Sequence, residues 1–502
     1  MSLTHTLALL AALQLAPLAA LHASEPSKAS KPNILLILTD DQGYGDVGRH
    51  GNPILKTPNL DRLHDQSVRF TDFCVSSSCS PTRASLMSGM YSLRVGVTHT
   101  IAPRCRMDPK ATILPQVLKS AGYVTACIGK WHLSADAGTE PGRRGFDYVA
   151  GKPAHFQDGK YREDILFDEA MGFMERSAGQ PFFCYLATWS PHAPLIVPDK
   201  YVEPYRGKVD EDAAKFFGMV ANIDENVGRI LRWLEEKSLA QNTLVIFMND
   251  NGGTYGVDTW NAGMRGCKCT AWPGGARAMS FWRWPGKWAP RDVAALAAHV
   301  DVLPTLAALA GAKPPDAALD GRSLLPFLEG GDDPWFAERM VFQHNARWPS
   351  GRAAQHKACM AGVRWRSYLL VRSRPCGDPA CIASGVSQCG ALRNVERGST
   401  VATYTKNAQF IWGLTPGDGW ALYDICKDPA CRSDLASEQP ELAQRLRGAY
   451  GQWWDGLYPG MIAAGGDAPL NEAAVSNLKK ATKGGDGKVK REAFVAGARK
   501  GS

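Results

Sequence analysis

Residues 33–41 read NILLILTDD, a short apolar run closed by two carboxylates. A half-exposed strand alternates apolar and polar residues; this run does not, so it is expected to lie buried on both faces, as strands of parallel sheets do. The pattern returns at residues 123–128, 181–188 and 243–248. Helical periodicity intervenes, most clearly at residues 213–237, where Phe217, Val220, Ile223, Val227, Ile230 and Leu234 recur every three or four positions. Strand, helix, strand repetition predicts an α/β fold with a large mixed, mostly parallel sheet flanked by helices. Past residue 338 the texture changes to short strand-like pieces, at 362–371 and 421–425, between Gly, Pro and Cys clusters. That reads as a smaller C-terminal α+β domain with a small antiparallel sheet.

The expected organisation is a leader at 1–23, a large α/β domain at 24–338, a C-terminal subdomain at 339–464 and a basic tail at 465–502. Leu7 to Leu21 is an Ala/Leu run too short to span a membrane; it ends in small residues before a polar stretch, the profile of a secretory signal peptide. No later run approaches about 18 apolar residues, so an exported, periplasmic or secreted protein without a membrane anchor is expected. The tail contains GGDGKVKREAF at 484–494, half of an EF-hand-like loop. With Gly487 at the turn, Asp486 survives as a ligand while Thr482, Gly484 and Ala493 stand where oxygen ligands are needed, so calcium is not expected there.

The charged fraction is 21% and the hydrophobic fraction 45%, ordinary values that exclude bulk disorder and a multi-span membrane protein. The net charge of +8 is modest for 502 residues and spread along the chain, which argues against a nucleic-acid partner. Thirteen cysteines in an exported chain predict some disulfides, and the odd number leaves at least one thiol over. Cys376, Cys381, Cys389, Cys426 and Cys431 lie in turn-rich stretches and are expected staples of undetermined connectivity. Cys127 and Cys184 sit inside strand runs and read as small buried hydrophobes.

Two of the strand runs end alike, in Asp40 and Asp41 and in Asp250 and Asn251. Ligands of open α/β sheets bind at the carboxyl ends of strands, so residues far apart in sequence can meet there. Two carboxylates about 4 Å apart repel by about 4 kcal/mol at an effective dielectric of 20, and a cation removes that repulsion. An all-oxygen set suits calcium or magnesium and argues against zinc. The competing reading is that these Asp residues simply cap turns or helices.

Residues 79–83 read CSPTR and are followed by ASLMSG at 84–89, helix-like after a proline suited to a first turn. C-x-P-x-R followed by a small-residue helix and Gly resembles the signature of the formylglycine-dependent type I sulfatases, of the alkaline phosphatase superfamily. The resemblance covers residues 31 to about 435. It includes DDQGYGD at 40–46, TPNLDRL at 57–63, GYVTACIGKWHL at 122–133, SPHAP at 190–194, NDNGG at 249–253 and LYDICKDPACRSDL at 422–435.

The resemblance implies that Cys79 is converted to formylglycine (3-oxoalanine) by a maturation enzyme. The aldehyde hydrate then takes sulfate on one hydroxyl, and the other expels it without water attacking sulfur. It further implies calcium, or magnesium, held by Asp40, Asp41, Asp250 and Asn251, with Arg83 holding the formylglycine. Lys130 and Lys268 would bind sulfate oxygens, His132 would take the proton of the second hydroxyl, and His192 with Lys268 would assist the leaving alcohol.

Two positions depart from the family. Thr82 replaces the more usual Ser. Around Lys268 the chain reads RGCKCTAWPGGAR, with Pro273 where the family has Glu; Cys267 and Cys269 either form disulfides elsewhere or pack. The expected substrate is a sulfated carbohydrate or an aryl sulfate, with segments around Trp348, Arg352, His356 and Trp412 at the crevice mouth. A phosphodiesterase or phosphonate monoester hydrolase and a catalytically silent glycan-binding relative are the rival readings. Oligomeric state is not legible.

Overall fold

The run Asn33–Thr39 is a central strand of an eight-stranded sheet in a computed structural model that describes residues 31–384, 387–396, 411–417 and 419–471. The expected leader and the EF-hand-like stretch lie outside the described residues. Across the sheet the order is Arg291–Val293, Val68–Phe70, Ser280–Arg283, Thr243–Asn249, Asn33–Thr39, Phe182–Ala187, Val124–Gly129, Tyr148–Ala150. The five strands from Thr243–Asn249 to Tyr148–Ala150 run parallel; Ser280–Arg283 is antiparallel to both its neighbours.

Burial on both faces follows from the alternation of side chains along a strand. Ile34, Leu36 and Leu38 pack on one face with Leu86, Met87, Val302, Leu303 and Leu306. Leu35 and Ile37 pack on the other with Ile223, Val227, Ile230 and Leu234. The helix Glu211–Glu236 supplies the second set, its N-terminus capped by Asp210, whose side chain accepts from the Ala213 amide. The helix Cys79–Ser88 belongs to the first face, and every one of its residues is buried. Cys127 and Cys184 are buried in these layers, as expected.

The second sheet begins at Met340 and is antiparallel throughout, in the order Met340–His344, Ala361–Trp365, Tyr368–Arg372, Trp420–Asp424. The stretch 362–371, read as one strand-like piece, is a hairpin that turns at Arg366, whose φ is +51°. The helix Pro440–Ala463 packs Leu446, Tyr450, Trp454, Leu457 and Met461 into the core shared with this sheet.

No disulfide joins the expected staples among the described residues. Cys389 lies against both Cys376 and Cys359, whereas Cys426 is exposed and Cys431 buried.

His299 lies buried beneath the segment leading to Cys79, its Nε2 3.0 Å from Ser76 Oγ. Burial, with Arg339 nearby, pushes its pKa down from 6.5 to about 3. As pH falls the unfolded chain is protonated first, so the stability contribution is full above about pH 6.5 and declines toward pH 3. The decline is at most about 1.4 kcal/mol per pH unit. His299→Gln should flatten the fall in urea stability between neutral pH and about pH 4; an unchanged slope contradicts this assignment.

Candidate active site

The strand register brings the chemistry-bearing residues to one level. Thr39 pairs with Asn249, so Asp40–Asp41 and Asp250–Asn251 leave the sheet side by side. Gly129 pairs with Ala187, and the Lys130 amide donates to the Ala187 carbonyl at 2.8 Å, which lifts Lys130 and the segment toward His192 from the same edge. Asp41 has φ +70°, and its amide donates to Asp250 Oδ1 at 3.2 Å. That left-handed residue turns the chain across the end of the neighbouring strand.

Cys79 is the first residue of the helix Cys79–Ser88, which Gly89 ends with φ +69°. The helix N-terminus carries partial positive charge and free amides, a favourable place for an anion. The Cys79 sulfur and carboxylate oxygens of Asp40 and Asp250 all lie within 4.8 Å of one another, and Asp41, Cys79 and His192 form a second such group. Residues about 170 apart in the chain thus share one crevice.

Each carboxylate faces a cation. Lys130 Nζ is 2.5 Å from Asp40 Oδ2, and Lys268 Nζ is 2.5 and 2.7 Å from the two oxygens of Asp41. Arg83 donates to Asp250 Oδ2 at 2.8 and 3.2 Å, to the Lys130 carbonyl at 2.8 Å and to Tyr185 Oη at 3.2 Å. With its side chain 0% exposed, Arg83 organises the crevice from beneath. Burial opposes the charge of Asp40, yet Lys130, His192, Arg83 and Lys268 hold its carboxyl well below the usual range. Asp250 goes the other way, raised by burial and by the charge of Asp40.

The two histidines are differently oriented. His132 Nε2 lies 3.1 Å from the Thr100 carbonyl, which can only accept, so Nε2 carries the hydrogen and the unpartnered Nδ1 is the basic nitrogen. Burial, Lys130 and Arg83 push its pKa well down. His192 Nδ1 faces the Ala193 carbonyl at 2.7 Å, leaving Nε2 as the base, 3.7 Å from Asp41 Oδ2. Burial lowers its pKa, Asp41 opposing.

The donor set fits a hard divalent cation. Asp40 Oδ1 and Asn251 Oδ1 are buried oxygens without a hydrogen-bond partner, and such oxygens are costly unless a proton donor or a cation meets them. Asp41 and Asp250 supply the remaining carboxylates, and Asn251 Nδ2 is oriented by Asp41 Oδ1 at 3.0 Å. All four side chains offer oxygen, the preference of calcium and magnesium.

Every site residue expected from the sequence except His132 is tied to this cluster by a hydrogen bond, an ion pair or a close approach, and His132 feels the charges of Lys130, Arg83 and Asp40. Cys267 and Cys269 resolve as packing residues, gathered with Val257, Ile411 and Trp412. Pro273 begins the short helix Pro273–Ala276. The mouth expectation needs correction. Trp348, His356 and Trp412 are buried side chains. Trp348 packs among His344, His356 and Trp454, where large aromatic area stabilises the second layer, and only Arg352 is exposed.

Four supporting residues were not anticipated. Tyr185 is the hydroxyl that meets Arg83; a lone Tyr within the apolar strand Phe182–Ala187 was its one signal. Asn345 and Gln388 both donate to the Cys269 carbonyl, at 2.6 and 2.9 Å, beside Lys268. Trp189 lies between Lys130 and Lys152, whose amines are 5.8 and 4.2 Å from its ring.

A family model for sulfatases matches residues 32–312. Human arylsulfatase A is 32% identical over 486 residues, 84% of this chain and 87% of that one.

 Human N-acetylgalactosamine-6-sulfatase is 33% identical over 379 residues, 65% of this chain and 71% of that one. The crystal structure of Ps i-CgsB in complex with k-i-k-neocarrahexaose superposes with a TM-score of 0.69 at 23% identity, over 90% of this chain and 98% of that one. The chain belongs to the sulfatase family and is a sulfuric ester hydrolase by class.

Removing Arg83 leaves Asp250 buried beside Asp40 without its cation. Arg83→Met should cost about 3–5 kcal/mol in urea unfolding of chelator-treated protein. Adding Asp250→Leu should recover part of that loss, because the uncompensated charge goes with it. Strict additivity of the two changes contradicts the pairing.

Proposed function

We propose that this chain hydrolyses sulfate monoesters, of a sulfated carbohydrate or an aryl alcohol, through an aldehyde made from Cys79 beside one calcium or magnesium ion. The observation that carries the reading is the position of Cys79, at a helix N-terminus and within 4.8 Å of Asp40 and Asp250. Oxidised and hydrated, residue 79 supplies one hydroxyl to accept sulfate and a second to release it. The cation, held by Asp40, Asp41, Asp250 and Asn251, supplies positive charge to the sulfate oxygens and to the nucleophile.

The chain's own residues do the rest. Lys130 and Lys268, held in place by Asp40 and Asp41, meet the sulfate oxygens, where fixed cations in a water-poor crevice stabilise the charge of the transferring group. Arg83 keeps residue 79 and Asp250 in register. His132 Nδ1, left unpartnered while Nε2 donates to the Thr100 carbonyl, takes the proton of the second hydroxyl. His192 takes up a proton at Nε2, beside Asp41 and Lys268, as the ester binds and passes it to the leaving alcohol.

A sulfated carbohydrate is favoured by the name of N-acetylgalactosamine-6-sulfatase and by the oligosaccharide in the Ps i-CgsB complex. Export is proposed from the N-terminal apolar run, and a maturation enzyme is the implied transient partner. Among the described residues no helix is long and apolar enough to cross a membrane.

Matured enzyme should release sulfate from sulfated oligosaccharides and aryl sulfate, and should turn over matched phosphodiesters orders of magnitude more slowly. The reverse order identifies a phosphodiesterase or phosphonate hydrolase instead. His192→Gln should slow esters of sugar alcohols far more than those of nitrophenol, which leaves without a proton. Equal losses on both contradict the role of His192.

A further inference from the structure

Behind the Lys268 loop lies a second cluster of ligand-type side chains. His356, Cys359 and Cys389 are all fully buried, and one donor atom from each lies within 4.8 Å of the other two. Cys389 Sγ is 3.0 Å from Cys359 Sγ and accepts from the Cys376 amide at 3.3 Å. The Cys376 thiol also interacts with those of Cys389 and Cys381. Neither ring nitrogen of His356 has a hydrogen-bond partner. A buried imidazole unsatisfied at both nitrogens is rare and calls for an explanation.

Two chemistries compete for these sulfurs. A Cys359–Cys389 disulfide, which an oxidising compartment permits, would leave both His356 nitrogens unmet. A metal ion would take the lone pair of one of them. We propose that His356, Cys359, Cys376 and Cys389 form a structural zinc site that fixes the loop carrying Lys268. Three sulfurs and one imidazole match the closed four-ligand sets of structural zinc, and soft donors separate this site from the oxygen-lined crevice. The ion replaces one proton on each sulfur it binds; the protons pass to solvent, and no electrons change hands.

The site has a mechanical consequence. Gln388, next to Cys389, and Asn345 hold the Cys269 carbonyl, and Asn345 also donates to Gln388 Oε1 at 2.9 Å. Met360, next to Cys359, accepts the Asn345 amide on its carbonyl at 3.0 Å and the Ala271 amide on its sulfur at 3.1 Å. Fixing Cys359 and Cys389 on one ion therefore clamps the peptide that follows Lys268, where Cys269 has φ +70°.

The test is metal analysis of the purified full-length chain, joined to thiol alkylation in denaturant and chelator without reductant. One zinc per chain is expected, with Cys359, Cys376 and Cys389 all alkylated once the ion is removed. His356→Ala and Cys389→Ser should each reduce bound zinc at least tenfold. A chain that holds no zinc and takes up none from added Zn2+ overturns the proposal, as does a Cys359–Cys389 disulfide in its peptide map. The wild-type thiol count stands even if the variants fail to fold. None of these readouts depends on sulfate ester turnover.

Discussion

Asp40, Asp41 and Asp250 are buried together, and each is held by a cation: Lys130, Lys268 and Arg83 respectively. In a medium of low dielectric neither set could be buried alone, since a charge removed from water is tolerated only when paired. The rest of the site follows from that balance. A divalent cation added to three carboxylates and three basic side chains leaves an excess of positive charge. That excess is what a sulfate ester and an ionised nucleophile require. The lysines held by carboxylates are also positioned for the anion before it arrives, and fixed charges of this kind need little reorganisation during reaction.

The sheet makes the balance possible. Parallel strands deliver Asp40, Asp250 and Lys130 to one edge with their backbone hydrogen bonds already satisfied, so the carboxylates are positioned by the most rigid part of the molecule. The helix Cys79–Ser88 is buried along its length and presents its first residue to the same edge. Loop segments contribute His132, His192 and Lys268. Lys268 is the one whose loop departs most from the family pattern, and here Asn345, Gln388 and Met360 brace it from the second sheet.

The central strands were legible because each is an unbroken apolar run long enough to exclude alternation. The edge strand Arg291–Val293 and its neighbour Val68–Phe70, three residues each, carry no period and left no signal. The paired strand-end acids were readable as a site because they repeat at two strands. Tyr185, Asn345 and Gln388 were not, since each acts through a partner distant in sequence. Trp348 and Trp412 misled: a Trp in a Gly-rich segment looks the same in sequence whether it faces a sugar or a core. The cysteines carried a real spacing signal at 376–389, but their grouping with His356 and Cys359 depends on how the second sheet folds.

The account rests on a thiol at residue 79 becoming an aldehyde in this crevice. Mass spectrometry of the peptide containing Cys79, from protein isolated from its native host, tests this most directly. Conversion of CH2SH to CHO lowers the peptide mass by about 18 Da. The account predicts that the lighter peptide predominates and forms a hydrazone with a carbonyl reagent. A peptide that keeps its full mass and alkylates as an ordinary thiol would contradict it.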